Sequence, residues 1–232
     1  MLDRAQIDEA TAALEEIFER ERELGPKRGW HNDIYKVSYL LPQKHELFRR
    51  FCFNPRVLPL MQMLLGESCV LASLNGLSMT PGGKTQELHI DQNETIAGAV
   101  LYVNALHALD DFTRENGCTR IVPFSQDRMF HRGKMDHAAM EKEAIYLEAP
   151  AGSLIAYNGG LWHAGSQNTT QKPRRCLHAF FSRPWVRPQW DYTKSLSPDI
   201  IAGLTKEQKK LFGFYAQAGW YDYKTDEFVR ER

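Results

Sequence analysis

The sequence predicts a mainly β fold with flanking helices, in which a β-sandwich or β-helix core occupies about residues 67–185. Residues 1–66 carry apolar side chains at helical spacing, whereas the segments after them are short and rich in β-branched and aromatic residues. Clusters of Gly, Pro and Asn bound these segments, as they commonly bound strands. Because the chain contains no repeat or linker, we predict a single domain, 1–232, with residues 186–232 again helical.

Two helices are predicted in the N-terminal part. The first runs from about Ala5 to Glu23, where apolar residues recur every three or four positions and form one stripe. The second lies in "NPRVLPLMQMLLG", with Asn54 as N-cap, Pro55 at the first helical position and Gly66 as the stop signal. Both patterns are typical of helices that pack one apolar face against a core.

Six segments after Gly66 predict strands: "CVLASLNGLSMT", "AGAVLYVNALHAL", "TRIVPF", "AIYLEA", "GSLIAYNGGLWH" and "RRCLHAFFSR". Between Gln126 and Glu143 a polar segment predicts a long loop with some helical character. Further on, "SPDIIAGL" and "TKEQKKLF" predict two short helices, the second with Thr205 and Gln208 in capping-box spacing.

Composition and charge favour a soluble, cytoplasmic protein. The 29 basic and 29 acidic residues cancel, so no long-range field favours nucleic acid or an anionic membrane. The four cysteines are widely spaced and read as buried thiols of a reducing compartment. No segment approaches the roughly 18 apolar residues that span a bilayer, and the acidic N-terminus lacks the apolar run of a signal peptide. The oligomeric state is left open.

A candidate metal site begins in "QELHIDQNET", where His89 and Asp91 are two residues apart. In a strand these two side chains project from the same face. His163, which closes an apolar strand after a Gly-Gly turn, is the candidate third ligand. Two imidazoles and one carboxylate form the facial triad of non-haem Fe(II) oxygenases, which leaves three coordination positions open. Taken alone, a His-x-Asp pair is also compatible with two solvated strand residues.

Three ordered motifs resemble the phytanoyl-CoA dioxygenase family over about residues 45–185: "LHIDQNE", "LDDFTRENGCTRIVPFS" and "APAGSLIAYNGGLWHAGSQNTTQKPRR". This resemblance implies a double-stranded β-helix (jelly-roll, cupin-like) core and an oxygenase that uses Fe(II), 2-oxoglutarate and O2. It also implies that His89, Asp91 and His163 are the iron ligands.

The resemblance further implies that Arg174, eleven residues after His163, binds the distal carboxylate of 2-oxoglutarate. A planar guanidinium suits this task because it binds a carboxylate bidentately. Arg175 faces the other way by strand alternation. Gln86, three residues before His89, is predicted to reach the cofactor or the substrate.

Further pocket residues are predicted from strand alternation. His178 lies four residues after Arg174, on the same face, and is expected to touch substrate or to brace the metal site. Asn75 and Asn104, in flanking strands, are predicted substrate contacts. The sequence also departs from the family in "PFSQ", where Phe124 and Gln126 replace the usual Gly and His. We expect this change to alter the pocket mouth and hence the substrate.

The resemblance implies hydroxylation of an unactivated C–H bond, with succinate and CO2 as co-products. Asp91 argues against halogenation, because related halogenases replace this carboxylate by Ala or Gly; desaturation and other oxidative outcomes stay open. A small polar metabolite of a biosynthetic pathway is our preferred substrate class. The alternatives are a zinc-dependent hydrolase on the same triad and a non-catalytic β-helix binding protein. The match at Arg174 favours the oxygenase, since a zinc hydrolase has no need of it.

Overall fold

Two antiparallel β-sheets face each other across a cavity. The structure is a computed structural model that describes residues 1–91, 98–126, 128, 137–215 and 220–229. Its strands are β1 (Tyr35–Ser38), β2 (Val70–Met79), β3 (Tyr102–Ala108), β4 (Thr119–Ile121), β5 (Ile145–Tyr146), β6 (Leu154–Asn158), β7 (His163–Gly165), β8 (Arg174–Ser182), β9 (Trp220–Asp222) and β10 (Glu227–Val229). The major sheet has the order β1-β2-β8-β3-β6 and the minor sheet the order β5-β4-β7, while β9 and β10 form a separate hairpin.

Helices cover the face of the major sheet that points away from the cavity. Leu177, Ala179 and Phe181 of β8 belong to the same apolar cluster as the buried residues of the N- and C-terminal helices. The helices of the described residues are α1 (Arg4–Arg20), α2 (Leu24–Lys27), α3 (Leu41–Lys44), α4 (Glu46–Phe51), α5 (Leu58–Leu65), α6 (His137–Glu143), α7 (Tyr192–Ser195), α8 (Pro198–Gly203) and α9 (Lys206–Leu211).

The predicted first helix is present as α1, three residues shorter at its C-terminal end. Asp3 accepts a hydrogen bond from the backbone of Gln6, and the Gln6 side chain accepts one in return, so a capping box fixes the start. The predicted apolar stripe is buried: Ile7, Ala10, Ala13, Leu14, Ile17 and Phe18. At the other end of the chain, Thr205 and Gln208 form the predicted capping box of α9.

The predicted helix at Asn54 begins later than expected. The Asn54 side chain accepts from the Arg56 N–H, which makes a local turn, and helical structure starts at Leu58. Asn54 therefore caps a turn rather than α5. Gly66 ends this helix, as predicted, with φ of 100°.

Two regions predicted to be helical also contain strands. Within residues 1–66, β1 pairs antiparallel with β2 as an edge strand of the major sheet. Within residues 186–232, β9 and β10 form a hairpin. The prediction missed β1 because a four-residue strand offers too little alternation to compete with the helical pattern around it.

The four cysteines are buried free thiols, as the sequence suggested. None of the helices in the described ranges has the length and apolarity that a bilayer crossing requires.

Candidate metal centre

The two candidate histidine ligands lie directly opposite each other on antiparallel segments, and their backbones are hydrogen-bonded. The N–H of His89 donates to the carbonyl of His163 at 2.9 Å, and the reverse bond is also 2.9 Å. Their imidazole rings lie 4.5 Å apart, centroid to centroid. Directly opposite residues in such a pair project their side chains from the same face. The backbone alone therefore brings both rings to one point.

Each imidazole is oriented by the main-chain carbonyl two residues before it. The Nδ1 atom of His89 lies 2.9 Å from the carbonyl of Glu87, and Nδ1 of His163 lies 2.9 Å from the carbonyl of Leu161. Because only a protonated Nδ1 can donate to a carbonyl, Nε2 of each neutral ring carries the free lone pair. This is the arrangement by which metal-binding histidines are usually fixed.

The carboxylate of Asp91 completes the cluster. One ligand atom from each of His89, Asp91 and His163 lies within 4.8 Å of the others. The Asp91 oxygens lie 3.3 Å from Nε2 of His163 and 3.9 Å from Nε2 of His89. His163 is buried, whereas the His89 side chain is 42% exposed. The cluster is thus open on the His89 side.

Asn104 binds the carboxylate from the major sheet, and His178 in turn binds Asn104. Nδ2 of Asn104 donates to Oδ2 of Asp91 at 2.9 Å, and Oδ1 of the same amide lies 2.5 Å from Nε2 of His178. Since the amide presents its oxygen to the imidazole, Nε2 of His178 is the donor. Asn104 is completely buried. Of the two roles expected for His178, this contact corresponds to bracing the metal site.

The electrostatics of the cluster keep Asp91 ionised and His178 neutral. Burial tends to raise the Asp91 pKa, but the neighbouring imidazoles, His163 foremost, outweigh burial and hold that pKa below its ordinary value. Burial, assisted by the two other imidazoles, lowers the pKa of His178 to about 4. Burial also lowers the pKa of His89, whereas the Asp91 carboxylate raises that of His163 against the opposing effect of burial. The carboxylate is therefore available as an anionic ligand near neutral pH.

A cavity of about 540 Å³ contains the three candidate ligands and runs along the inner face of the major sheet. Arg174, Cys176, His178 and Phe180 of β8 line it in alternation, as the two-residue period of a strand requires. Arg174 and Phe180 are therefore separated by about 20 Å at ~3.3 Å per residue, with His178 and the metal cluster between them.

Arg174 is buried and lines this cavity. Its Nη2 donates to the carbonyl of Gly117 at 2.8 Å, and its guanidinium lies 4.2 Å above the ring of Phe112. Its Nε is buried and has no hydrogen-bond partner among the described residues. The adjacent Arg175 faces away, as alternation predicted, and binds Asp110 through two 2.8 Å hydrogen bonds.

The other predicted residues lie in or beside the cavity with specific partners. Oε1 of Gln86 accepts from the N–H of Gly165 at 2.7 Å, so this side chain ties the two histidine-bearing segments together. Oδ1 of Asn75 accepts from the Leu40 N–H at 3.2 Å and from the Trp190 indole at 3.4 Å. Both Gln86 and Asn75 line the cavity.

Phe124 and Gln126 do not belong to the lining of the cavity. The side chain of Phe124 is 75% exposed, and its effect on the pocket mouth stays a prediction. The next residue, Ser125, accepts a hydrogen bond from the Trp162 N–H at 2.8 Å. The turn therefore supports the segment that carries His163.

The sequence did not identify several residues that line the cavity. They include three tyrosines and a C-terminal strap: Tyr35, Tyr39, Tyr102 and Val186, Arg187, Pro188, Gln189. Alternation of Tyr35, Val37 and Tyr39 was the available signal for the first two. The strap could not be assigned because its position depends on distant contacts, such as the 3.0 Å bond from the Tyr102 hydroxyl to the Arg187 carbonyl.

A double-stranded β-helix whose cavity contains two histidines and a carboxylate is the architecture of Fe(II)/2-oxoglutarate oxygenases. The chain matches the model of the phytanoyl-CoA dioxygenase (PhyH) family over residues 1–176 and therefore belongs to this family. The predicted family is confirmed, and with it the dioxygenase class and the cofactors on which the family depends, Fe(II) and 2-oxoglutarate.

Relatives in sequence and structure agree with this assignment. Dioxygenase af480 of Aspergillus fumigatus is 27% identical, over 84% of this chain and 65% of its own. Uncharacterized protein Rv1501 of Mycobacterium tuberculosis is 28% identical, over 94% of this chain and 81% of its own. Among solved structures, HygX from Streptomyces hygroscopicus has a TM-score of 0.65 at 16% identity and 82% coverage of both chains. This likeness confirms the double-stranded β-helix fold.

Proposed function

We propose that this protein is a dioxygenase that hydroxylates an unactivated C–H bond of a small polar metabolite. In this proposal His89, Asp91 and His163 hold Fe(II), and Arg174 anchors 2-oxoglutarate. The observation that carries the proposal is the convergence of two oriented Nε2 atoms and one carboxylate within 4.8 Å. Two imidazoles and a carboxylate are the donor set that suits ferrous iron with open coordination positions.

The residues fit the metal, which would compete with a proton only at His163, because the Asp91 carboxylate raises the pKa of that ring. Both histidines already direct a free Nε2 lone pair towards Asp91, because their Nδ1 atoms donate to main-chain carbonyls. The low pKa of Asp91 supplies the negative charge. Three protein ligands leave room for a bidentate cofactor and O2.

The residues also fit 2-oxoglutarate. Arg174 lines the same cavity as the triad and has a buried Nε without a partner among the described residues. A buried, unpaired donor is costly, and a dicarboxylate that reaches it would satisfy it with a charge-assisted hydrogen bond. Gln86 lies beside Gly165 at the same end of the cavity and is a second candidate contact for the cofactor.

When bound, iron and 2-oxoglutarate supply the oxidation, in which substrate, 2-oxoglutarate and O2 give hydroxylated substrate, succinate and CO2. The contribution of this chain is to fix the geometry of the ligands and to place a target carbon beside them. Asn104, which is itself bonded by His178, holds the Asp91 carboxylate, while the paired backbones of His89 and His163 hold the rings.

The opposite end of the cavity suits a polar substrate. Beyond the metal cluster the lining includes Tyr102, which pairs with the end of β8 next to Phe180, together with Arg187 and Gln189 of the strap. Phenol, amide and guanidinium groups offer hydrogen bonds, while the tyrosine ring offers apolar area. The solved structure of HygX with nickel, 2-oxoglutarate and hygromycin B bound contains a small molecule on this fold, which supports a small-molecule substrate here.

An anaerobic binding experiment tests the metal and cofactor assignments. Fe(II) and 2-oxoglutarate are added to the purified protein and the visible spectrum is recorded. We expect a weak metal-to-ligand charge-transfer band in wild type, and its loss together with iron binding in Asp91→Ala and His163→Ala. Arg174→Met should keep iron but weaken 2-oxoglutarate binding roughly 10–100-fold, because a charge-assisted hydrogen bond is worth about 1.5–3 kcal/mol.

Arg175→Met is the matched control for Arg174→Met. It removes the neighbouring guanidinium, which faces Asp110 outside the cavity, and should leave the affinity for 2-oxoglutarate unchanged. Absence of the band in folded, iron-loaded wild type would contradict the oxygenase assignment and favour a zinc-dependent hydrolase or a binding protein. If the band appears, succinate release across a panel of polar metabolites, with mass spectrometry for one added oxygen from labelled O2, tests hydroxylation itself.

A further inference from the structure

Arg120 is a buried arginine that bonds both segments carrying the candidate histidine ligands. It lies in β4 and is only 4% exposed. Its Nη1 donates to the carbonyl of Gly165 at 3.0 Å, and its Nη2 donates to the carbonyl of Gln86 at 2.9 Å. Gly165 is two residues after His163 and Gln86 is three residues before His89. One guanidinium therefore bridges the two segments next to the metal cluster.

This bridge lies where the pairing of the two segments is irregular. His89 and His163 are directly opposite, and the next bond joins the Gln86 N–H to the Gly165 carbonyl at 3.0 Å. Three residue steps from His89 to Gln86 therefore correspond to only two from His163 to Gly165. Such a mismatch leaves fewer regular ladder bonds to fix the separation of the strands. The Gln86 side chain and the Arg120 guanidinium supply the missing bonds.

Glu141 of α6 holds the guanidinium in place. Its carboxylate accepts from Nε of Arg120 at 3.1 Å and from Nη2 at 2.8 Å. This two-point contact balances the buried charge and fixes the plane of the guanidinium. The remaining N–H groups are then aimed at the two main-chain carbonyls, a fork geometry that a lysine ammonium cannot reproduce.

We infer that Arg120, held by Glu141, is a positioning residue that sets the spacing of the His89 and His163 imidazoles for metal binding. It touches none of the three candidate ligand side chains through a hydrogen bond in the described structure and acts through their backbones. The inference rests on the proposed function, since it assumes that the cluster binds a metal.

The experiment compares Arg120→Gln with Arg183→Gln. Arg183 is a matched control because it also bonds main-chain carbonyls of separate segments, those of Val100 and Leu65, but none on either histidine-bearing segment. The full-length variants are titrated with Fe(II) alone under anaerobic conditions. In the metal-free proteins, amide hydrogen exchange is followed at His89 and His163 and, for reference, in β2 and β8.

Arg120→Gln should weaken Fe(II) binding roughly 10–100-fold, the usual effect of removing a group that orients metal ligands. It should also accelerate exchange of the His89 and His163 amides relative to those of β2 and β8. Arg183→Gln should change neither, even if it lowers the melting temperature as much. Arg120→Lys should recover the melting temperature more than the Fe(II) affinity, and Glu141→Gln should give a smaller loss of affinity than Arg120→Gln.

Fe(II) affinity and amide exchange at wild-type levels in Arg120→Gln would overturn the inference, as would equal losses in Arg183→Gln. Failure of the proposed function has a different signature, because it appears in the wild type: iron binds but 2-oxoglutarate produces no charge-transfer band. The comparison of Arg120→Gln with Arg183→Gln on Fe(II) alone would still decide the role of Arg120. A wild-type chain that binds no divalent metal would overturn both.

Discussion

The two sheets hold their candidate ligands by different means. On the minor-sheet side, main-chain atoms position the histidines: the two backbones exchange hydrogen bonds, and each ring donates to a carbonyl two residues earlier. On the major-sheet side, side chains position the carboxylate, because Asn104 donates to Asp91 and His178 donates to Asn104. The histidines are thus held by main-chain atoms, whereas the carboxylate is held by side chains.

This difference identifies the Asp91 side as the more sensitive to single substitutions. A carbonyl two residues away is retained by almost any substitution nearby, but an amide donor is lost when one side chain changes. Asn104 is fully buried and serves two partners at once. Its removal would leave both the carboxylate and the imidazole with an unsatisfied polar atom.

The largest expected effect is that of Asn104→Leu. The variant should weaken Fe(II) binding roughly 10–100-fold, as expected for loss of a group that orients a metal ligand. It should also lower the free energy of unfolding of the metal-free protein by about 1–3 kcal/mol, because buried polar partners are left unpaired. Anaerobic Fe(II) titration and urea denaturation measure the two effects.

Asn75→Leu is the control for Asn104→Leu. Asn75 lies on the same face of the major sheet and is also buried, but it bonds Leu40 and Trp190 instead of a candidate ligand. Its variant should lose stability and keep the Fe(II) affinity of wild type. Equal losses of affinity in the two variants would show that the face as a whole, and not the bond to Asp91, determines metal binding.

A second prediction concerns a buried histidine on the face of the major sheet that the helices cover. His107 of β3 is buried, packs against Phe51 at a centroid distance of 4.6 Å and leaves Nδ1 without a partner among the described residues. Burial lowers its pKa to about 3. The unfolded chain, with an ordinary His pKa of about 6.5, binds this proton more readily. Stability contributed by neutral His107 is therefore complete above about pH 6.5 and is lost as the pH falls towards 3.

At pH 4.5 the expected loss from His107 is about 2–3 kcal/mol, at ~1.4 kcal/mol per pH unit below 6.5. His107→Leu should remove this part of the acid sensitivity. Urea midpoints of metal-free wild type and variant at pH 7 and pH 4.5 measure it. If both proteins lose the same stability on acidification, His107 is not the group that titrates.

The sequence predicted the parts of the site that follow from local geometry. His89 and Asp91 were grouped by strand alternation, and Arg174 and His178 were placed on one face by the same rule. The contact of Asn104 with His178 was not predictable, because it depends on the register between β3 and β8, which pairs Asn104 with Phe180. Register is a long-range property that a single strand does not encode.

Short elements and irregular segments account for most of the remaining differences. β7 has three residues and β1 has four, too few for a periodic signal. Arg120 reads in sequence as one residue of the strand-like "TRIVPF", and only the fold brings Gln86, Gly165 and Glu141 to it. The long loop predicted between Gln126 and Glu143 lies partly on residues outside the described ranges.

The smallest expected effect concerns the turn that supports the histidine side. Phe124 has φ of 59°, in the left-handed region that costs a residue with a Cβ about 1–2 kcal/mol, and its side chain is 75% exposed. Phe124→Gly relieves this strain with little loss of burial, although glycine gains freedom in the unfolded chain worth about 0.4–1 kcal/mol. We therefore expect a net stabilisation of up to about 1 kcal/mol, measured by urea denaturation. Fe(II) affinity should not change, because Ser125 keeps its bond to Trp162; weakened Fe(II) binding would show that the Phe124 side chain, and not only the main chain, helps to position His163.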